Sequence, residues 1–281
     1  MKRKVGIVVD STFGIQKDFA KANNITVVTL KVIIDGKEYV DGTFDPDLVV
    51  KALHDKKNIT TSQPTPDQFL EAYQKQLETF EEVICLTLSK SLSGTNNSAN
   101  LALTIHEKDN VKVVDSESTI VGGMYMTERL LDFLNEGHSA LEGVEFIEKL
   151  KDDGSLLFTV DNLNSLVRSG RIGKVQAFIG NALKVKPILS FKRGVLELEH
   201  KVRSFNNVLL YLKEQAAKLV GKGKKIIVRI AFVDRSVEAK ELQHVMVSIA
   251  ENLDVQIRGV ISPVVSAHVG LGGLGIYLGV E

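Results

Sequence analysis

Small hydroxyl and amide side chains are concentrated directly after an apolar, strand-like run at 83–88 (VICLTL). The segment 89–99 reads SKSLSGTNNSA, and Lys90 is its only charged residue. A helix that begins near Ser93 would leave backbone N–H groups free and a partial positive charge at its N-terminus, and Gly94 would let a ligand approach the backbone closely. This combination suits a small anion of low charge, such as a carboxylate, because a polyphosphate normally needs more positive charge than Lys90 supplies.

Other polar segments could serve the same purpose. The segment 58–66 (NITTSQPTP) places several hydroxyls and the amide of Gln63 around two prolines, which favour an extended backbone. The segments 10–12 (DST) and 115–119 (DSEST) also follow strand-like runs, and ordinary helix capping is enough to explain both of them. For the segment 91–95 (SLSGT), helix capping and ligand binding explain the polar residues equally well.

The first half of the chain alternates strand-like runs with amphipathic segments. This alternation predicts a parallel sheet with helices on both faces, a Rossmann-like three-layer α/β domain over residues 1–152. In such sheets ligands bind beyond the carboxyl ends of the strands, where the polar segments fall. The predicted strands are 4–9, 25–34 (continuing through the turn Asp35-Gly36 as a hairpin), 83–88 and 111–114, and the predicted helices are 14–23, 44–56, 65–80, 93–107 and 119–136.

The second half has a different pattern. It predicts a two-layer α/β domain with a mixed sheet over residues 153–281, after a break at Asp152-Asp153-Gly154. A glycine-punctuated helical stretch is expected over 161–185. The predicted strands are 156–160, a hairpin over 187–199, 226–233 and 255–261, and the predicted helices are 205–220 and 235–252.

Composition excludes several classes of function. Lys+Arg and Asp+Glu are both 35 in the 281 residues, so no overall field recruits nucleic acid or anionic membrane. No apolar stretch has transmembrane length, and we expect a cytoplasmic protein without stable membrane insertion, for which transient membrane contact stays open. The single cysteine, Cys85, allows no intrachain disulfide and is expected in the core.

Familiar catalytic and cofactor motifs do not fit. Gly270, Gly272 and Gly275 match G-x-G-x-x-G but lie too near the end for a dinucleotide fold, and 170–175 (GRIGKV) lacks the first glycine and the hydroxyl residue of a phosphate loop. The sequence contains no G-x-S-x-G lipase motif and no His/Cys spacing typical of zinc. We therefore expect no cofactor and no metal.

Several motifs occur together in a fixed order, and as a set they resemble the DegV family, the fatty-acid-binding subunits of bacterial fatty acid kinase. The resemblance covers the whole chain. The motifs are VVDST, TTSQPTP, SKSLSGTNNSA, SGRIGK, KPIL, KVRS and SPVVSAHVGLGGLG.

The resemblance implies that the two domains enclose one long-chain fatty acid, such as palmitate, in an internal tunnel. It implies that a partner kinase phosphorylates the carboxylate for phospholipid synthesis, and that the chain itself supplies no catalytic residue. Arg171 and Arg203 match positions tied to kinase docking, although the basic residues around them could simply form a solvated surface. The implied carboxylate-binding residues are Thr61, Ser62, Ser93 and His268, with Gly94 and Thr95 in the same turn as Ser93.

The physical chemistry of a long acid agrees with such a site. Burying each methylene gains about 0.8 kcal/mol, so roughly 16 carbons supply on the order of 12 kcal/mol before entropic costs. The tail would therefore supply the affinity. Neutral Ser and Thr donors with one His would orient the carboxylate without trapping it as a buried Lys or Arg pair would.

Two other functions stay open from sequence alone. Ser93 and His268 could form the nucleophile and base of an acyl esterase or acyl transferase. A binding module for a sugar or a hydroxy-ketone is the other alternative, and it would need a polar pocket in place of a long apolar tunnel.

Overall fold

The computed structural model describes residues 3–175, 185–220 and 225–281. The described strands are β1 (Val5–Asp10), β2 (Ile25–Val28), β3 (Lys31–Ile34), β4 (Lys37–Val40), β5 (Ile59–Ser62), β6 (Glu82–Thr87), β7 (Val111–Asp115), β8 (Gly154–Thr159), β9 (Lys186–Lys192), β10 (Val195–Val202), β11 (Ile226–Phe232), β12 (Leu253–Val260) and β13 (Leu274–Val280). The described α-helices are α1 (Lys17–Ala22), α2 (Asp47–His54), α3 (Pro66–Leu77), α4 (Thr95–His106), α5 (Ile120–Asn135), α6 (Ala140–Leu150), α7 (Asn164–Arg168), α8 (Phe205–Val220), α9 (Ser236–Val247) and α10 (Pro263–Val269).

A four-stranded parallel sheet forms the centre of the N-terminal half, in the order β2-β1-β6-β7. Helices α3 and α4 pack on one face, where Cys85 is buried with Phe69 and Ala99. Helices α5 and α6 pack on the other face, where Ile84 and Leu130 are buried. Because both faces are covered, the strands read as continuous apolar runs, and the predicted three-layer α/β arrangement is confirmed.

A small antiparallel sheet, β4-β3-β5, stands beside the parallel sheet. The prediction of one strand over 25–34 is wrong, because Thr29-Leu30 separates β2 in the parallel sheet from β3 in this small sheet. The predicted hairpin is present: Asp35 and Gly36 both have positive φ (49° and 84°), as a two-residue turn between β-strands requires. Pairing of β5 with β3 fixes the position of Thr61.

The C-terminal half contains a six-stranded mixed sheet in the order β10-β9-β8-β13-β11-β12, in which only the β11–β12 pair is parallel among the described strands. Helices α8 and α9 cover one face around Leu212 and Leu242. The other face packs against α5, so that one buried cluster joins this sheet to the parallel sheet. The predicted mixed sheet is confirmed.

The chain passes from one half to the other between α6, which ends at Leu150, and β8, which begins at Gly154. The domain division at 152/153 lies in this connection and stays a prediction. Helices α6 and α10 were not predicted. Of the helical stretch expected over 161–185, α7 is present, and residues 176–184 lie outside the described part of the chain. None of the described helices is long and apolar enough to cross a bilayer.

Candidate functional site

A cavity of about 130 Å³ lies between the parallel sheet, the small sheet and the six-stranded sheet. Most of its lining is apolar, and the rings of Phe158 on β8 and Phe191 on β9 lie with their centroids 6.1 Å apart. Thr61, Ser93 and His268 line it together with Arg171. The apolar lining residues are Leu30, Leu88, Leu92, Ile120, Phe158, Leu166, Phe191, Leu196, Val264, Val265 and Val269.

The polar end of this cavity joins β5 to α10. Thr61 Oγ1 and His268 Nε2 are 2.8 Å apart, although the residues are 207 positions apart in the chain. Helix α10 presents His268 because Ser262 caps its first turn, Pro263 is the first helical residue, and the helix ends at Gly270 (φ 79°). This Ser-Pro start and Gly end were a readable helix signal in the sequence.

Helix α10 is also anchored from the carboxyl end of β1. The buried Asp41 accepts hydrogen bonds from Ser11 Oγ (2.7 Å) and from the backbone N–H of Val264 (3.3 Å). The buried Asp10 accepts from Leu88 N (2.6 Å) and caps the turn at 11–13, as capping alone predicted for this segment. Burial raises the pKa of both carboxyl groups to about 6. These contacts fix the wall residues of α10 against the parallel sheet.

The turn before α4 brings Ser93 to the same end. Ser93 Oγ lies 2.9 Å from Thr95 Oγ1 and also accepts from the backbone N–H of Thr95 (3.3 Å). Gln63, which follows β5, donates to the carbonyl of Gly94 (3.2 Å) and to Ser98 Oγ (2.9 Å). Gln63 therefore ties the two polar segments of the sequence to each other.

Three of the residues implied as carboxylate ligands do not line the cavity. Ser62 follows Thr61 on β5, so its side chain points to the opposite face, and its hydroxyl donates to the Gln63 carbonyl (3.3 Å). Thr95 is fully buried behind Ser93. At Gly94 the close neighbour is Gln63: a Cβ added at Gly94 would lie 2.2 Å from Gln63 Oε1.

The two arginines occupy different environments. Arg171 is partly buried, lines the cavity, and donates from Nε to the Leu92 carbonyl (3.2 Å). Arg203 is exposed on the segment after β10. Of the lysines near these arginines in the sequence, Lys174 is in an ion pair with Glu197 and Lys186 with Asp161, and Lys184 lies outside the described residues. Arg171 therefore brings a positive charge to the cavity that the neutral-donor hypothesis did not include.

His268 is neutral at physiological pH. Burial, and secondarily the charge of Arg171, lower the pKa of its imidazole to about 4. A neutral ring has one donor and one acceptor nitrogen. Nε2 faces Thr61, while Nδ1 is buried and has no partner among the described residues.

We expect the His268 ring to titrate near pH 4 in an NMR pH series of the native protein, and near pH 6.5 after unfolding. Since the unfolded chain binds more protons between these values, His268 contributes stability above pH 6.5 that is lost as pH falls towards 4, at most about 3 kcal/mol. Arg171→Ala should raise the native pKa but leave it below 6.5, because burial is the larger cause. A midpoint near pH 6.5 for His268 in the native protein would contradict the burial of its ring beside Arg171.

The geometry does not provide the nucleophile–base pair of an esterase. Within the described residues, His268 Nε2 is bonded to Thr61 and Ser93 Oγ to Thr95, and no hydrogen bond joins Ser93 to His268. Among the same residues no group of His, Cys, Asp and Glu side chains could hold a metal ion.

Three polar lining residues were not among those assigned to the site from the sequence: Thr12, Gln63 and Thr119. Thr12 and Thr119 lie in the polar segments after β1 and β7, so the rule that ligands bind at the carboxyl ends of parallel strands pointed to them. Local hydrogen bonding explained the segments equally well, since Asp10 accepts from Thr12 N and Asp115 accepts from Glu117 N. Nothing in one sequence separated the two explanations.

Comparison with known proteins identifies the family. A model of the DegV family, described as an uncharacterised protein family, matches residues 4–280. The chain belongs to the DegV family. A DegV domain-containing protein of Staphylococcus aureus is 34% identical over 278 residues, 96% of each chain, and one of Listeria monocytogenes is 31% identical over 281 residues, again 96% of each.

Solved structures share the fold of this DegV chain. A fatty-acid-binding DegV family protein of Thermus thermophilus has a TM-score of 0.91 at 30% identity, covering 99% of this chain and 100% of its own. The fatty-acid-binding DegV of Bacillus subtilis has a TM-score of 0.90 at 26% identity, with full coverage of both chains. A stearic-acid-binding protein of Eubacterium ventriosum has a TM-score of 0.85 at 26% identity, covering 100% and 98%.

Proposed function

We propose that this DegV protein binds one long-chain fatty acid in the cavity and presents its carboxylate to a partner kinase. The observation that carries the proposal is a largely apolar cavity with the hydroxyls of Thr61 and Ser93 and the ring of His268 at one end. Family members described as binding fatty acids, one of them stearic acid, support the same ligand class.

A chain of hydrogen bonds would orient the acid. In the Nε2–H tautomer of neutral His268, Nε2–H would donate to Thr61 Oγ1 and leave the Thr61 proton free to donate to a carboxylate oxygen. In the Ser93–Thr95 pair either hydroxyl can donate, and with Thr95 as the donor Ser93 would donate to the second oxygen. Ser62, Gly94 and Thr95 then act by positioning Thr61 and Ser93.

The tail would occupy the apolar wall. Small-molecule sites usually have volumes of roughly 300–1,000 Å³, so binding of a long acyl chain requires the side chains around the 130 Å³ cavity to move apart. Phe158 and Phe191 are diagonal neighbours on adjacent strands and are the largest apolar side chains of the lining, so we expect them to move.

The kinase step is proposed as follows. We assign the guanidinium of Arg171, which lines the cavity, to the negative charge that phosphoryl transfer would add at the carboxylate, and the exposed Arg203 to contact with the kinase. The acyl phosphate formed would feed phospholipid synthesis in the cytoplasm, with transient membrane contact for exchange of the lipid. The DegV protein itself would act as the substrate-presenting subunit and would catalyse no step.

Mass spectrometry of protein expressed in bacteria tests the proposal. We expect native spectra with one fatty acid per chain, which is released and identified after denaturation. Protein stripped of lipid should take up palmitate or oleate at the same stoichiometry. A folded, lipid-free preparation that takes up neither acid would contradict the proposal, and a covalent acyl adduct on Ser93 would favour the esterase alternative instead.

A further inference from the structure

The cavity wall contains a buried hydroxyl, that of Thr119, for which the protein provides no partner. The side chain of Thr119 is only 2% exposed, and its Oγ1 makes no hydrogen bond within the described part of the chain. A buried polar atom without a partner is rare and marks a place that a ligand or a water completes. The other hydroxyls that line the cavity are paired, Thr12 with Asp10, Thr61 with His268 and Ser93 with Thr95.

The Thr119 hydroxyl does not cap its helix. Thr119 is the N-cap residue of α5, where a threonine side chain normally accepts a hydrogen bond from the first turn, but its side chain makes no such bond. Its carbonyl accepts from Gly122 N (3.1 Å) and Gly123 N (3.3 Å). The next residue, Ile120, has φ of 51°, which β-branched residues rarely adopt, and it also lines the cavity.

Thr119 starts a different element from the residues proposed to hold the carboxylate. Those residues are on β5, on α10 and in the turn before α4, whereas Thr119 starts α5, which packs against β8, the strand that carries the lining residue Phe158. No hydrogen bond between described residues joins Thr119 to Thr61, Ser93 or His268. The Thr119 hydroxyl is therefore not part of the hydrogen-bonded pairs assigned to the head group and is left to meet the acyl chain.

We infer that Thr119 Oγ1 binds an oxygen on the acyl chain itself, so that the cavity accepts hydroxylated fatty acids. This inference rests on the proposed function. A ligand hydroxyl both donates and accepts, so it matches the threonine hydroxyl in either direction. A chain without a hydroxyl leaves Thr119 Oγ1 buried and unpaired, which lowers the affinity for that acid relative to a hydroxy acid that pairs with Thr119.

The test compares stearic acid with 2-, 3-, 10- and 12-hydroxystearic acid by calorimetry on the wild-type protein, Thr119→Val and Thr127→Val. The first variant removes the hydroxyl and keeps the shape. Thr127 is the matched control, because it is buried on the same helix, donates to the Gly123 carbonyl (2.8 Å) and lies outside the cavity. For the hydroxystearate that binds best, Thr119→Val should lower its affinity relative to stearate about tenfold, and Thr127→Val should leave that ratio unchanged.

Other outcomes would contradict either the inference about Thr119 or the proposed function. An equal loss of affinity for every acid in Thr119→Val would mean that Thr119 serves the carboxylate. Affinities that stay at the wild-type value for every acid would mean that the hydroxyl binds only water. Both results overturn the inference, while stearate binding keeps the proposed function intact. Failure of the wild-type protein to bind stearate or any hydroxystearate would overturn the proposed function itself.

Discussion

Replacing Arg171 by alanine is expected to lower kinase-dependent phosphorylation of the bound acid at least about 100-fold, while affinity for the acid falls no more than about tenfold. Removing one donor aimed at developing charge typically costs about 10²–10³-fold in rate, and Arg171 lines the cavity, where its charge acts on His268. Affinity depends mainly on the buried tail. The measurements are phosphorylation of loaded protein by a bacterial fatty acid kinase, and palmitate binding by calorimetry.

Arg203→Ala is the matched control because Arg203 is exposed and does not line the cavity. This variant should raise the KM for the DegV protein in the kinase reaction, leave kcat nearly unchanged and leave palmitate affinity unchanged. If acid bound to the Arg171→Ala variant is phosphorylated at the wild-type rate, Arg171 has no role in phosphoryl transfer. Loss of palmitate binding in the Arg203→Ala variant would contradict the proposal that Arg203 acts only in docking of the kinase.

Replacing Leu196 by glutamate is expected to lower palmitate affinity at least about 100-fold. Leu196 lies on β10, is 2% exposed and lines the cavity, so a carboxylate there would either stay ionised in an apolar wall or take up a proton and remain polar. In both states the tail loses its apolar surroundings. Calorimetry gives the affinity, and thermal melting shows whether the variant is folded.

Leu101→Glu provides the control, since Leu101 is 48% exposed on α4 and does not line the cavity. It adds the same charge and should leave palmitate affinity unchanged. If Leu196→Glu does not fold, Leu196→Gln changes polarity without charge and should still lower the affinity. Near wild-type binding by a folded Leu196 variant would mean that the acyl chain lies elsewhere.

Much of the fold was predictable because its local signals agree with its packing. Strands buried on both faces, such as β1 and β6, read as unbroken apolar runs, and the helices between them are amphipathic. The motifs around Thr61, Ser93 and His268 also identified the candidate site, since their order along the chain is specific to the family.

The remaining features depend on contacts that no local pattern encodes. The run 25–34 is mostly apolar or β-branched and contains no Gly or Pro, so no chain-breaking residue marks the change of sheet between β2 and β3. The approach of Gln63 to Gly94 joins segments 31 residues apart, and the position of Arg171 at the cavity depends on the packing of the C-terminal half. The sequence could suggest a ligand role for Gly94 but could not show that a protein side chain lies against it.

A crystal structure with bound palmitate is the most direct test of the central claim, that the apolar cavity holds the tail while Thr61 and Ser93 orient the carboxylate. We expect both hydroxyls within about 2.7–2.8 Å of the carboxylate oxygens, and the chain to run from there between Phe158 and Phe191. A palmitate bound outside this cavity, or bound with its methyl end at Thr61 and Ser93, would contradict the claim.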